Sequence, residues 1–313
     1  MRVEARRRRS APPQALLTLY SEFQQQLAKV LRSRTIESMT GLALTEERRA
    51  ELAALLNDDA KLDAMYPHVA DYLDTVMRLP GTGDPDADSS FDLRVVHYLT
   101  GGESSSGNPY WDIIEPAITR DRSGRRVVGE SARSARLAYA ETVLQAAYAY
   151  AIPSPETLAW MGAFSEGRTI LELGAGRGYW AAQLARLGVP VAAYDSEPPQ
   201  AAQNPSFPAM PGQQAVWHSV GDLAAYSAAD LAESVLFLCW PPGWGTPMAS
   251  AALAKFMKAG GDRVVFIGEP QGGKTGDDAF FELLADRWAL TSEDTEYVAW
   301  ARNSDVAQGW VLR

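Results

Sequence analysis

Cysteine, histidine and positive charge are all scarce in this 313-residue chain. One cysteine, Cys239, cannot form an internal disulfide, and the three histidines, His68, His97 and His218, lie too far apart for metal-ligand spacing. A reducing, cytoplasmic setting without a metal site is expected. The 39 acidic residues outnumber the 29 basic ones, and the net charge of −10 opposes nonspecific attraction to phosphate backbones and anionic membranes. No apolar run approaches the roughly 20 residues that span a bilayer, and the N-terminus lacks the apolar stretch of a secretion signal. Nucleic acid and membrane are therefore disfavoured partners. The local exception is MRVEARRRRS, with five arginines in ten residues. Before Pro12-Pro13 this reads as a solvated, disordered basic tail over 1–13.

What the chain does have is 46% hydrophobic residues, enough for two units of ordinary size. Apolar residues recur at helical spacing from Gln14 to Thr40, after Thr45, and from Asp59 to Leu79 with a break at Pro67. PGTGDPDADSS at 80–90 and GGESSSGNP at 101–109 read as loops, with irregular chain between and after them. A long helix follows from Ser131 to Tyr150, and a short one from Ser154-Pro155 to Phe164. Beyond Gly167 the rhythm changes to short apolar runs alternating with helices. Strands are expected at Thr169 to Leu173, Val189 to Tyr194, Ala215 to Ser219, Val235 to Trp240 and Arg263 to Ile267. Helices are expected at Tyr179 to Leu187, Asp222 to Leu231, Pro247 to Ala259 and Asp277 to Trp288. This alternation predicts an α/β fold with a mostly parallel sheet, closed by an antiparallel C-terminal hairpin of TEYVAWA and QGWVLR. The expected division is a helical region over 14–160 and a sheet domain over 161–313.

Two glycine loops compete for the ligand. GEPQGGKT at 268–275 matches the phosphate-loop pattern letter for letter. Too little chain follows Thr275 to supply the strand whose terminal aspartate would hold magnesium, and Asp277 and Asp278 would repel phosphates. An ATPase is disfavoured. TILELGAGRGYW couples a buried strand to a glycine turn and a helix start, which lets backbone approach a ligand closely. The dinucleotide spacing G-x-G-x-x-G fails here, because Tyr179 stands where the third glycine is required. A nicotinamide-dependent oxidoreductase is thus a lesser alternative, as is a catalytically silent nucleoside-binding module.

This loop, with Glu172, Gly174, Gly176 and Gly178, resembles the E-x-G-x-G-x-G motif of the class I S-adenosylmethionine-dependent methyltransferases. The resemblance extends in order through Asp195, Gly221-Asp222 and Cys239-Trp240-Pro241-Pro242, and covers 165–313. It implies a Rossmann-like sheet, S-adenosyl-L-methionine as cofactor, and contacts from Glu172, Gly174, Ala175, Gly176, Gly178, Tyr179, Asp195, Ser196, Gly221, Asp222, Cys239 and Trp240. Asp195 stands where such enzymes place the acid that accepts from both ribose hydroxyls. Asp222 equally has the position of a helix cap. Glu172, a carboxylate on a buried strand, needs a donor partner, which the loop amides or the cofactor's ammonium would provide. YAYAIPS at 148–154, CWPPGW and the 268–278 loop also resemble a methyltransferase-like subgroup of bacteria and fungi without a settled substrate.

The implied acceptor is a small molecule or peptide methylated on O or N. Pro241-Pro242 resembles the [DNS]-P-P-[YFW] motif of enzymes that methylate amino groups of nucleic-acid bases. Trp240 and Gly243 depart from it, leaving that as an alternative. Tyr150, Trp180, Pro241, Trp244 and Glu269 are acceptor-side candidates, with Lys274, Asp277 and Asp278 on the same loop as Glu269. His218, Glu269 and Asp278 are candidates for a base.

Overall fold

The computed structural model describes residues 22, 25–27, 41–129, 134–199 and 207–313. The expected basic tail, and nearly all of the helix expected from Gln14 to Thr40, lie outside these residues.

Capping chemistry sets the helical region. Helix α1 (Glu46–Leu56) starts where Thr45 accepts from the Arg48 amide, with Glu46 and Glu47 in the first turn. The next apolar pattern divides at Pro67 into α2 (Asp59–Met65) and α3 (Pro67–Val76), because proline suits the first helical position. The loop expected over 80–90 ends early. Asp84 accepts from the amides of Asp86 and Ala87, so α4 runs Pro85–Leu99. Proline and aspartate serve here as helix starters rather than breakers. The segment expected to be irregular holds α5 (Pro109–Ile114) and a hairpin of β1 (Ile118–Arg120) and β2 (Arg126–Val128). Helix α6 (Ala135–Ala147) stops short of Tyr150, and Ser154 caps α7 (Pro155–Ser165). Buried Asp92 ties three of these helices together: it accepts from Tyr72 Oη at 2.6 Å and pairs with Arg136.

The main sheet has seven strands in the order β5-β4-β3-β6-β7-β10-β8. Strands β3 (Thr169–Leu173), β4 (Val191–Tyr194), β5 (Val220–Gly221), β6 (Ser234–Cys239) and β7 (Arg263–Gly268) run parallel. Helices α8 (Tyr179–Arg186), α9 (Leu223–Ala228), α10 (Met248–Lys258) and α11 (Asp278–Arg287) connect or flank them. The fold class matches the expectation, with two corrections of detail. The antiparallel pair is β8 (Trp288–Glu293) with β10 (Val306–Leu312), not TEYVAWA with QGWVLR. The TEYVAWA segment instead supplies β9 (Val298–Trp300), which pairs in parallel with β2 in a separate three-stranded sheet. Val298, Ala299 and Trp300 are all buried, and the Trp300 indole donates to Tyr110 Oη at 2.9 Å, so this strand is drawn inward by the helical layer. The other correction is β5, which forms only at Val220–Gly221 rather than over Ala215 to Ser219. The Trp217 ring packs on Tyr148 and Tyr179, so those residues serve packing instead of a ladder.

The strand period of two sorts the core. Ile170, Val235, Phe237, Val265 and Ile267 join a cluster with the helical region, whereas Leu171, Leu236, Leu238, Val264 and Phe266 join α10 and α11 on the opposite face. Glu172, one step from Leu171 and Leu173, falls on the face of Ile170, toward the helical region. Among the described residues no helix is long and apolar enough to cross a membrane. Nor does any group of three or more His, Cys, Asp or Glu there suit a metal ion.

Candidate functional site

A cavity of about 570 Å³ opens at the carboxyl ends of β4, β3, β6 and β7, where open parallel sheets take ligands. Its wall over β3 and β4 is made by Glu172, Gly174, Ala175, Asp195, Ser196 and Glu197. Over β6 and β7 it is made by Cys239, Trp240, Pro242, Lys274 and Thr275, and the helical region closes it with Tyr148, Ala149 and Tyr150. Tyr179, Trp180, Phe207 and Met248 complete it.

The turn after β3 favours glycine at three positions. Gly174, Gly176 and Gly178 have φ of 85°, 52° and 74°, in the left-handed region, and the Gly174 and Ala175 amides both bond Tyr194 O. A Cβ on Gly178 would stand 2.9 Å from His218 O. Between these glycines Arg177 is buried, and its guanidinium reaches Pro208 O at 2.8 Å and Gln213 Oε1 at 3.2 Å. That anchors the segment carrying Phe207 beside the glycine loop. Tyr179, standing where a dinucleotide loop needs glycine, donates to Asn108 Oδ1 at 2.8 Å and accepts from the Tyr110 amide at 3.1 Å. Its ring joins Tyr110, Tyr148 and Trp217, so the side chain docks the sheet onto the helical region.

Two carboxylates define one end of the cavity. Glu172 Oε2 accepts from the Ala181 amide in the first turn of α8 at 3.0 Å. Burial pushes its pKa up to about 8, against the pull of that amide and with a smaller push from Asp195. Asp195, at the end of β4, accepts from the Gly176 amide through Oδ2 and from the Glu197 amide through Oδ1, both at 2.9 Å. Oδ1 also accepts from Ser196 Oγ at 3.4 Å, and Oδ2 keeps a lone pair for a further donor. Trp180, 1% exposed and edge-on to Phe237, has an indole N–H with no acceptor among the described residues.

The other end is aromatic. Tyr150 and Trp240 stack at 5.6 Å with planes 10° apart. Trp240 has φ of 49°, a conformation a bulky residue rarely adopts, and it is held by its amide on Ile267 O and its indole on Asp305 Oδ2. Burial pushes Asp305 up to about 7. Burial, together with the Glu172 charge, also lifts the Cys239 thiol well above its ordinary range, which removes it as a thiolate nucleophile.

The loop 268–275 is turned inward. Glu269 accepts from the Lys274 amide at 2.8 Å and the Ser304 amide at 3.3 Å, and Thr275 Oγ1 donates to Glu269 O. Groups that would cradle a phosphate are already spent on this glutamate, and α11 begins only at Asp278.

Of the cofactor-side candidates, Glu172, Gly174, Ala175, Tyr179, Asp195, Ser196, Cys239 and Trp240 line the cavity, whereas Gly176, Gly178, Gly221 and Asp222 do not. Asp222 caps α9 through the Ala225 amide. Of the acceptor-side candidates, Tyr150 and Trp180 line it; Pro241, Glu269 and Trp244 do not, and Trp244 is 80% exposed. Neither His218, whose Nδ1 lies 2.8 Å from Ser219 O, nor Asp278 is part of the wall. Pro241 and Pro242 tie two loops, the first accepting from the Gly276 amide and the second bridging to Thr275. Phe207 and Met248 had no local signal in the sequence, and Tyr148 carried one only as part of YAYAIPS. Lys274 carried one only through its loop.

No family model matches the chain, and no curated protein matches it. Solved structures do. An RNA methyltransferase from Salinibacter ruber in complex with S-adenosyl-L-homocysteine is 20% identical, matching 51% of this chain and 94% of its own with a TM-score of 0.30. The CcbJ methyltransferase from Streptomyces caelestis is 18% identical over 50% and 94%, TM-score 0.31. Magnesium protoporphyrin IX methyltransferase from Synechocystis PCC 6803 with bound SAH is 16% identical over 50% and 80%, TM-score 0.30. The sheet of this chain is mostly parallel and ends in an antiparallel pair.

Proposed function

We propose that this protein is an S-adenosylmethionine-dependent methyltransferase acting on an O or N atom of a small molecule or peptide. The observation that carries the reading is the acidic end of the cavity, where Glu172, the glycine turn and Asp195 meet at the ends of β3 and β4. These residues fit the cofactor. Asp195 offers the remaining lone pair of Oδ2 to a sugar hydroxyl, Glu172 offers a carboxylate to an ammonium group, and the Trp180 indole offers a donor with no acceptor among the described residues. When bound, the cofactor supplies a sulfonium-activated methyl carbon, to which an acceptor lone pair bonds as the carbon–sulfur pair returns to sulfur. The chain's own part is alignment and exclusion of water. Tyr148, Ala149 and Tyr150 bring the helical region over the sheet as platform or lid. None of His218, Glu269 and Asp278 lines the cavity, so the reading needs no protein base from among them.

The test is calorimetric titration of the full chain with S-adenosylmethionine and S-adenosylhomocysteine. Binding is expected, and Asp195→Ala should weaken it by about 1–3 kcal/mol through loss of charge-assisted hydrogen bonds. Well-folded protein that gives no heat with either, or an Asp195→Ala variant that binds as tightly as the parent, would overturn the proposal.

A further inference from the structure

The cavity is chemically two-ended. From β4 to β7 it crosses three strand spacings, about 14 Å at ~4.8 Å each. The carboxylates Glu172, Asp195 and Glu197 belong to the β3 and β4 side, whereas Lys274 on the β7 side is the one cationic residue in the wall among the described residues. Between them lie Trp240 and Tyr150.

Both features of the far end are held ready in advance. Trp240 is fixed through backbone and indole, and Tyr150 stacks on it while keeping 38% exposure, so aromatic surface stays open to a guest. Lys274 Nζ bonds Asn303 Oδ1 at 3.1 Å, lies 3.5 Å from Glu269 Oε1 and sits 5.8 Å from the Trp240 ring centre. An ammonium has three N–H donors, and these are two partners. The Glu269 charge is meanwhile shared with the amides of Lys274 and Ser304, and the two other acids within electrostatic reach, Asp305 and Glu141, are pushed toward their neutral forms by burial and accept from the Trp240 indole and Asn303 Nδ2. The lysine therefore keeps positive character beside the aromatic wall, and its side chain is 51% exposed. A cationic guest would be repelled there, since Lys274 already takes the cation's place near the Trp240 ring. An anionic group would be repelled at the opposite, acidic end. The charge pattern orients a guest as well as selecting it.

We propose that the acceptor is a planar aromatic molecule carrying an anionic oxygen, its ring laid against the Trp240–Tyr150 wall and its charge held by Lys274. This rests on the reading that the acidic end takes S-adenosylmethionine. A carboxylate and a phenolate share this chemistry, and separate probes distinguish them.

The full chain, saturated with S-adenosylhomocysteine, is titrated calorimetrically with 2-naphthoate, with 4-nitrophenolate at pH 9, with neutral 2-naphthamide and with acetate. At least one aromatic anion is expected to bind about tenfold or more tightly than 2-naphthamide, as a hydrogen bond to a charged partner gives. Acetate should not bind detectably. Lys274→Met should erase the advantage of the anion and Lys274→Arg should keep it, both holding S-adenosylhomocysteine within about twofold of the parent, since Lys274 stands on the opposite side of the cavity. The stronger of the two anions identifies the group as carboxylate or phenolate. Equal affinity for 2-naphthamide, an advantage that survives Lys274→Met, or no aromatic probe bound by the saturated chain would each overturn the proposal. Failure of S-adenosylhomocysteine itself to bind, seen before any probe is added, would refute the cofactor reading instead.

Discussion

Replacing Glu172 with glutamine tests the placement on which the site depends. Glutamine keeps the shape and the oxygen that accepts from the Ala181 amide, and removes only the ability to ionise. Burial raises this carboxyl from an ordinary 4.5 to about 8. At ~1.4 kcal/mol per unit, and allowing for relaxation around a buried charge, the rise corresponds to about 2–4 kcal/mol. Its sign is definite. Between the two values the native state holds a proton that the unfolded chain has released, so the contribution is fully present below pH 4.5 and is lost as pH rises toward 8. Urea unfolding of the ligand-free parent and of Glu172→Gln, at intervals from pH 5 to 9, measures the difference directly. Groups common to both proteins, such as Asp305, cancel. The parent should lose stability relative to the variant by about 2–4 kcal/mol across that range. Parallel profiles would mean that the carboxyl is already ionised in the fold, with a donor the geometry does not contain.

Other perturbations probe the frame around the site. Arg136→Met would leave the fully buried Asp92 carboxylate without its ion-pair partner and should cost about 3–5 kcal/mol in urea unfolding, whereas a loss below about 1 kcal/mol would show that the pair is dispensable. Gly178→Ala and Gly245→Ala share a similar φ, 74° and 73°, but only the first sets a new Cβ against backbone, at 2.9 Å from His218 O; Gly245 has nothing within 4 Å. Gly245→Ala should cost about 1–2 kcal/mol, from backbone conformation alone, and Gly178→Ala clearly more; equal losses by thermal unfolding would contradict the close approach. Acid should weaken the protein through His97, which burial, reinforced by the Arg48 charge, lowers to about 4. The unfolded chain protonates that ring near pH 6.5, so the contribution is present above 6.5 and lost toward pH 4. In a pH series His97→Gln should flatten that part of the profile, and an unchanged slope would show that the ring is not buried in its neutral form.

How far the site was legible depends on whether its signal was local. The glycine turn and Glu172 were readable because strand, bend and helix start are contiguous, and a carboxylate among apolar strand residues demands a partner whatever the fold. Asp84 was misread. Its aspartates and prolines suit a loop and a helix cap equally, and only the acceptance from Asp86 and Ala87 separates the two. TEYVAWA was recognised as strand-like but given the wrong partner, because strand propensity does not carry an address. Its actual neighbour is β2, far away in sequence, and the attraction is burial of Trp300 beneath the helical layer. The phosphate-loop letters at 268–275 matched a motif whose Lys274 amide and Thr275 hydroxyl the structure commits to Glu269.

Taken alone, the sequence determined the alternation of strands and helices after Gly167, the two-faced core that follows from a period of two, and the acid and glycine chemistry at the ends of β3 and β4. Those properties are set by neighbours within a few residues. The tertiary structure alone decided that Met248 and Phe207 help to wall the cavity, that Arg177 holds the Phe207 segment beside the glycine loop, and that Lys274 stands across from the carboxylates. Each of these is a meeting of segments distant along the chain. It is made by packing and charge in three dimensions, which no local pattern of residues encodes.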